Sequence, residues 1–163
     1  MTVTLRDATP DDAPVLVELI GLLAEYEKLA HQCVADAGKL AAHLAPDARP
    51  RCHAVLAEDP GGEAAGFALY YWSYSTFLTD WGIYLEDLFV RQSHRGRGIG
   101  LALLSELAAR VVARGGDRLT WQVLDWNAPA IGFYETLGAR RMGDWDTMRL
   151  EGDALERLAA RPG

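Results

Sequence analysis

Apolar residues along this chain change their spacing several times, and each change marks an element. Val15, Leu16, Leu19, Ile20, Leu23 and Tyr26 recur every three or four positions, which is one face of an amphipathic helix. Thr9-Pro10-Asp11-Asp12 ahead of them carries the polar cap and proline of a helix start. Asp36 to Leu44 predicts a second helix. His53 to Glu58 and Ala64 to Ser73 predict a hairpin turned by Pro60-Gly61-Gly62. Tyr84 to Val90 is a further strand. Leu104, Leu107, Ala108, Val111 and Val112 then return to helical spacing and stop at Gly115. Trp121 to Leu124 reads as a strand, Asn127 as a helix cap, Pro129 as a first-turn residue and Gly138 as a stop. Two late strands, Ala139 to Asp144 and Thr147 to Leu150, precede a terminal helix near Asp153 to Ala160, and Met1 to Arg6 is an opening strand. Pro46 to Pro50 and Gly115-Gly116-Asp117 are the other breaks. The order predicts an α/β domain with a mixed central β-sheet flanked by helices.

The most informative transition is Tyr84-Leu85-Glu86-Asp87-Leu88-Phe89-Val90 running through Arg91-Gln92-Ser93-His94 into Arg95-Gly96-Arg97-Gly98-Ile99-Gly100. A glycine-rich turn that opens a helix presents unpaired backbone N–H groups at the positive end of the helix dipole, which suits a pyrophosphate. No Lys-Ser or Lys-Thr follows, so a nucleoside-triphosphate loop is excluded. Glycines at 96, 98 and 100 also lack the spacing of the dinucleotide fingerprint. Downstream, Asn127, Ile131 and Tyr134 are spaced by four and three, so a cap residue and a phenol share one helix face.

Composition narrows the class. With 163 residues, 50% of them hydrophobic, the chain can bury one substantial core, and it is expected to be a single domain over 1–163. No apolar stretch approaches a membrane span and no secretory leader opens the sequence, so a cytoplasmic protein is expected, with no membrane partner. Cys33 and Cys52 have no metal or disulfide spacing, and His31, His43, His53 and His94 are scattered, so no metal site is expected. A net charge of −7 argues against nucleic acid as a partner and is compatible with a cationic substrate.

Arg95-x-x-Gly98-x-Gly100 resembles the acetyl-CoA motif of the GCN5-related N-acetyltransferases, and with the Asn127–Tyr134 helix it matches the core of that family over roughly residues 84 to 150. Tyr84-Leu85-Glu86-Asp87 and Leu124-Asp125-Trp126-Asn127 are similar to the diamine (spermidine/spermine) acetyltransferases, with thinner agreement at 23–28 and 66–71. Where those enzymes tend to carry Asp-Pro-Trp after the tyrosine that ends the third strand, this chain reads Tyr74-Ser75-Thr76-Phe77. It is closer there to the thialysine acetyltransferase branch, whose substrates are small amino acids with a side-chain amine.

The resemblance implies the acyl-CoA N-acyltransferase fold, acetyl-CoA as co-substrate, a small-molecule amine as partner and a homodimer, the last also in keeping with the aromatics between Tyr70 and Trp81. Arg95, Arg97 and the amides of Gly96, Gly98, Ile99 and Gly100 would hold the pyrophosphate. A backbone N–H of Leu88, Phe89 or Val90 would polarise the thioester carbonyl, and Asn127 would join the cofactor contacts. An alkyl ammonium has a pKa near ~10.4, so only about one molecule in two thousand is neutral at pH 7 and a base is needed. Glu86 is the candidate base and Asp87 a cation contact, with alternation sending one toward the site and the other elsewhere. Glu25, Tyr26 and Glu27 would surround the amine, and Tyr134 is the candidate acid for the departing thiolate. The expected activity is direct acetyl transfer within a ternary complex to a thialysine- or lysine-like amine, or to a di- or polyamine. The alternatives are a noncatalytic acyl-CoA sensor and an acetyltransferase for a protein amine or an aminoglycoside.

Overall fold

The computed structural model describes residues 3–45 and 51–161. Two compact units divide the chain, Met1–Leu124 and Asp125–Gly163. The first unit opens with strand β1 (Thr4–Asp7), followed by helices α1 (Ala13–Tyr26) and α2 (Ala37–Leu44). Strands β2 (His53–Glu58), β3 (Ala64–Ser75) and β4 (Asp80–Val90) come next, then helix α3 (Ile99–Ala113) and strand β5 (Arg118–Trp121). The sheet order is β1-β2-β3-β4-β5, antiparallel from β1 to β4 and parallel between β4 and β5. This is the mixed sheet the pattern predicts.

Local chemistry accounts for the boundaries. The Thr9-Pro10-Asp11-Asp12 start forms a reciprocal capping box on a short 3-10 turn that leads into α1. Asp36 caps α2 by accepting the Lys39 N–H at 2.7 Å. Gly62 turns the β2–β3 hairpin at φ +83° and Gly115 closes α3 at φ +77°. Leu16, Leu19 and Leu23 of α1 pack with Leu44, Leu56, Phe67, Leu69 and Phe89 in one cluster. On α3 the buried face is Ile99, Leu103, Leu104, Leu107 and Val111, whereas Ala108 and Val112 are exposed. The apolar face predicted for this helix was thus drawn partly onto solvent, because Val112 continues the spacing one residue beyond the contact stripe.

The second unit contains α4 (Ala128–Thr136) and α5 (Gly152–Ala159). Asn127 caps α4 through Oδ1, which accepts the Ala130 N–H at 3.4 Å, and Gly138 stops it at φ +86°. Two sequence expectations are corrected. Residues 139–150 carry no strand, since alternating residues make a strand only where a ladder partner accepts them, and a lone hairpin is marginal. The strand expected at 121–124 lies earlier, at Arg118–Trp121, where Leu119 can pair with Ile83. The break expected at Pro46 to Pro50 and the first two residues of the opening strand lie outside the described residues.

Candidate active site

Strand β4 positions most of the candidate chemistry. Its register against β3 pairs Leu69 with Asp87 but Tyr70 with Leu85, so Glu86 is an extra residue in a β-bulge. A bulge re-aims side chains and increases local twist. Clean alternation between Glu86 and Asp87, expected from sequence, is therefore suspended. Glu86 is exposed and Asp87 is largely buried. Burial first, then the charges of Glu86 and Glu27, push the Asp87 carboxyl up to about 6. Burial also raises Glu27. Beside Glu86, Tyr71 and Tyr84 stack as a cross-strand pair with centroids 5.1 Å apart, and both phenols are raised by burial and then by Glu86. The end of α1 and the middle of β4 thus bring Glu27, Glu86 and Asp87 into one anionic neighbourhood, a natural seat for an ammonium group.

Beyond the bulge the sheet opens. β5 pairs with residues Gly82 to Leu85, so from Glu86 to Val90 the β5-facing edge of β4 carries no ladder among the described residues. Alternate strand N–H groups point away from β3 there and can donate to an incoming carbonyl or amide, the role expected of one among Leu88, Phe89 and Val90.

The strand then runs into the anion turn. Gly96 and Gly98 sit at φ +73° and +78°, left-handed conformations that glycine adopts without strain. Gly98 is the N-cap of α3 with no side-chain cap, and the first helical bond recorded runs from the Ala102 N–H to the Gly98 carbonyl at 2.9 Å. The N–H groups of Gly98, Ile99 and Gly100 are thus outside the helical ladder. Arg95 is held by an Nε donation to the Val90 carbonyl at 3.0 Å, and its guanidinium lies over Tyr26 at 4.6 Å and Phe89 at 5.6 Å. Arg97 is exposed on the same turn.

Tyr26 and Arg95 share an open cleft of about 480 Å³ lined also by Leu22, Glu25, Phe89 and Arg91. The cleft runs from Glu25 and Tyr26 to Arg95 at the start of the anion turn, and Glu27, Glu86 and Asp87 do not line it. α1 ends there because Lys28 takes a left-handed backbone, φ +63°, in the place a glycine often fills. In the second unit, Asn127 is buried, Tyr134 is half-buried, and both lie with Ile131 on one face of α4.

Sequence reasoning missed the Glu86 bulge, the stacked tyrosines and the grip of Arg95 on Tyr26. Two adjacent carboxylates inside an apolar strand were the available signal for the bulge. It also treated the histidines as scattered, whereas the fold brings His94 to Asp59 and Glu63, with candidate ligand atoms within 4.8 Å of one another.

The chain is similar to known proteins over nearly its whole length. The family model described as "Acetyltransferase (GNAT) family" matches residues 20–139. A thialysine N-epsilon-acetyltransferase of Sus scrofa is 36% identical, covering 98% of this chain and 99% of the relative. An L-ornithine N5-acetyltransferase of Arabidopsis thaliana is 33% identical, covering 94% and 86%. Among solved structures, an integron cassette protein from the mobile metagenome of V. cholerae superposes with a TM-score of 0.80 at 27% identity, over 99% of each chain.

Proposed function

The chain belongs to the GNAT acetyltransferase family and is an acetyl-CoA-dependent N-acetyltransferase, and from this premise we propose that its acceptor is the side-chain amine of a small amino acid of the thialysine, lysine or ornithine type. The observation that carries the acceptor class is the group Glu27, Glu86 and Asp87 around the bulge of β4, where Asp87 is held near 6 by burial and its anionic neighbours. Such a site gains most from an ammonium, which relieves the repulsion it was built with. The named activities of the relatives, on thialysine and on L-ornithine, support the same class. Diamines and polyamines come second, since Tyr74-Ser75-Thr76-Phe77 supplies no carboxylate for a distant ammonium.

The residues divide the work. Gly96, Gly98, Ile99 and Gly100 bind the pyrophosphate through backbone N–H groups, with Arg95 and Arg97 supplying charge and Asn127 a further cofactor contact. The β4 edge at Leu88 to Val90 donates to the thioester oxygen, which gains negative charge as the carbonyl is attacked. Glu25, Tyr26, Glu27 and Asp87 hold the ammonium. Glu86 takes one proton through water; the neutral nitrogen attacks the carbonyl carbon, the C–N bond forms, the nitrogen releases its second proton to solvent and the C–S bond breaks. Tyr134 gives its proton to the thiolate and regains one from solvent. No step needs a metal.

The family model runs across both compact units, which supports reading 1–163 as one catalytic domain. The chain self-associates as a homodimer through the β3–β4 hairpin, where Tyr74, Phe77, Leu78 and Trp81 are exposed. Cys33 and Cys52 are free thiols, in keeping with the reducing cytoplasm.

The test is thiol release from acetyl-CoA against thialysine, lysine, ornithine, diamines, polyamines, an aminoglycoside and a histone-like peptide. Highest kcat/KM on the three amino acids is expected. Turnover confined to the peptide or aminoglycoside would overturn the acceptor class, and no turnover with CoA binding retained would make the protein a sensor.

A further inference from the structure

The glycines that let the anion turn approach a pyrophosphate bring no side chains of their own to hold it in place. Glycine loses more freedom on ordering than any other residue, so a turn with Gly96 and Gly98 must be held from outside or ordered by its ligand at a cost in affinity. The residues before it supply the hold. Arg91 donates Nε to the Ala64 carbonyl at 2.7 Å and its backbone N–H to the Ala65 carbonyl at 2.9 Å, and it pairs with Glu18 at 2.8 Å. Arg91 thereby fixes the start of the 3-10 turn at Gln92–His94.

The end of that turn, one residue before Arg95, is His94. It is 7% exposed although it sits in an otherwise exposed loop. Both ring nitrogens are engaged: Nδ1 lies 2.9 Å from the Ser93 hydroxyl and Nε2 lies 3.4 Å from Asp59 Oδ2. Asp59 is itself rigid. Its Oδ1 accepts the N–H groups of Gly61 and Glu63, each at 2.9 Å, and its backbone N–H donates to the Glu63 carbonyl at 2.9 Å. Those backbone bonds, with desolvation opposing and His94 adding to them, keep the Asp59 carboxyl below its ordinary range and therefore charged. One oxygen closes the β2–β3 turn while the other reaches 35 residues along the chain to His94.

We infer that His94 and Asp59 are positioning residues for acetyl-CoA: the pair clamps the base of the glycine turn to the β2–β3 turn, so that the pyrophosphate meets a preformed set of N–H donors. The inference rests on the reading that acetyl-CoA binds at Arg95 to Gly100. It predicts a particular kinetic signature, because neither residue lines the cleft beside Glu25 and Tyr26. His94→Ala and Asp59→Ala should raise the Kd and KM for acetyl-CoA about tenfold, the worth of one charge-assisted hydrogen bond, with kcat and the KM for the amine changed less than twofold. Asp59→Asn keeps an acceptor for Gly61 and Glu63 and can donate to Nε2 of the other imidazole tautomer, so it should retain most of the affinity. The double variant His94→Ala with Asp59→Ala should be no worse than Asp59→Ala alone.

The experiment is calorimetry with CoA, steady-state kinetics in both substrates and a thermal melt for each variant, with Gly98→Val alongside. Wild-type binding that Gly98→Val leaves intact would fail the reading of the turn itself. Wild-type binding abolished by Gly98→Val but unchanged by His94→Ala would overturn the clamp alone. So would a fall in kcat that tracks lost melting temperature while both KM values stay unchanged, which marks a purely structural pair. Loss of CoA affinity on treating the wild type with EDTA, restored by zinc, would replace the direct contact with an ion held by Asp59, Glu63 and His94, and overturn it as well.

Discussion

Gly98 and Gly100 look equivalent in sequence, yet only one is conformationally committed. Gly98 sits at φ +78° with no heavy atom within 4 Å of a Cβ placed on it, whereas Gly100 is helical and its Cβ would make an ordinary contact with Val90 Cγ2 at 3.9 Å. Gly98→Val should therefore cost both folding stability, about 1–3 kcal/mol, and CoA affinity. Gly100→Val should leave the melt unchanged and still weaken CoA by crowding the pyrophosphate; wild-type CoA affinity in both variants by calorimetry would displace the anion from this turn. Asp87 makes a prediction about pH. Its folded carboxyl titrates near 6 against an ordinary 3.8, so it binds a proton more tightly folded than unfolded. The stability it contributes is complete below pH 3.8 and is lost as pH rises through 6. Asp87→Asn should raise the melting temperature at pH 8, by up to about 3 kcal/mol of stability, raise the amine KM, and show no gain near pH 3.8. A gain independent of pH would assign it to something other than ionisation. Tyr134→Phe should keep the α4 packing and CoA binding while kcat falls by ~10²–10⁴. Glu86→Gln should show a deficit that shrinks as pH rises and more amine is already neutral. Wild-type turnover in Tyr134→Phe with chemistry rate-limiting would make that phenol a packing residue.

At the scale of elements, the β3–β4 ribbon carries the proposed site, and its closeness is set by Gly66. A Cβ at Gly66 would fall 2.5 Å from the Phe89 carbonyl oxygen and 3.2 Å from Val90 Cα, contacts made by backbone that cannot rotate away. Gly66→Ala should push the end of β4 off β3, lowering stability by about 1–3 kcal/mol. Because the same end of β4 leads to the anion turn, the KM for acetyl-CoA should rise too. Chemical denaturation and kinetics together check this, and a variant as stable as wild type would mean that the ribbon has slack the packing does not reveal. The arrangement also explains why β4 is the working strand: the bulge at Glu86 and the end of pairing with β5 at Leu85 coincide, so the twist that re-aims the carboxylates and the opening that frees the strand edge arise at one place.

For the molecule as a whole, the net charge of −7 and the exposed hairpin make separate statements. The charge favours a cationic acceptor over an anionic one through long-range attraction that salt screens. The hairpin exposes Phe77 at 94% and Tyr74 at 51%, apolar surface that a second copy would cover. Light scattering should give a dimer at micromolar concentration, and Phe77→Ser with Leu78→Ser should shift it toward monomer without loss of helicity. A wild-type monomer would reject the dimer.

What the sequence alone determined was whatever is built from contiguous residues: the α1 face, the α2 cap, the β2–β3 turn, and above all the path from Tyr84 through Gly98 into α3. Strand, glycine turn and helix start are specified there by neighbours a few positions apart, so propensity and backbone sterics suffice to write them. What depends on distant partners was decided by the tertiary structure. The bulge at Glu86 exists only in register with Leu69 and Tyr70, and Asp87 is raised first by burial, then by Glu86 and by Glu27 at the end of α1. The absence of strands at residues 139–150 reflects pairing that alternation can invite but not supply. His94 reads as one histidine among four until the β2–β3 turn brings Asp59 to its Nε2. Register and burial are properties of pairs far apart in the chain, and a pattern with period two or 3.6 carries no record of which distant residue will stand opposite.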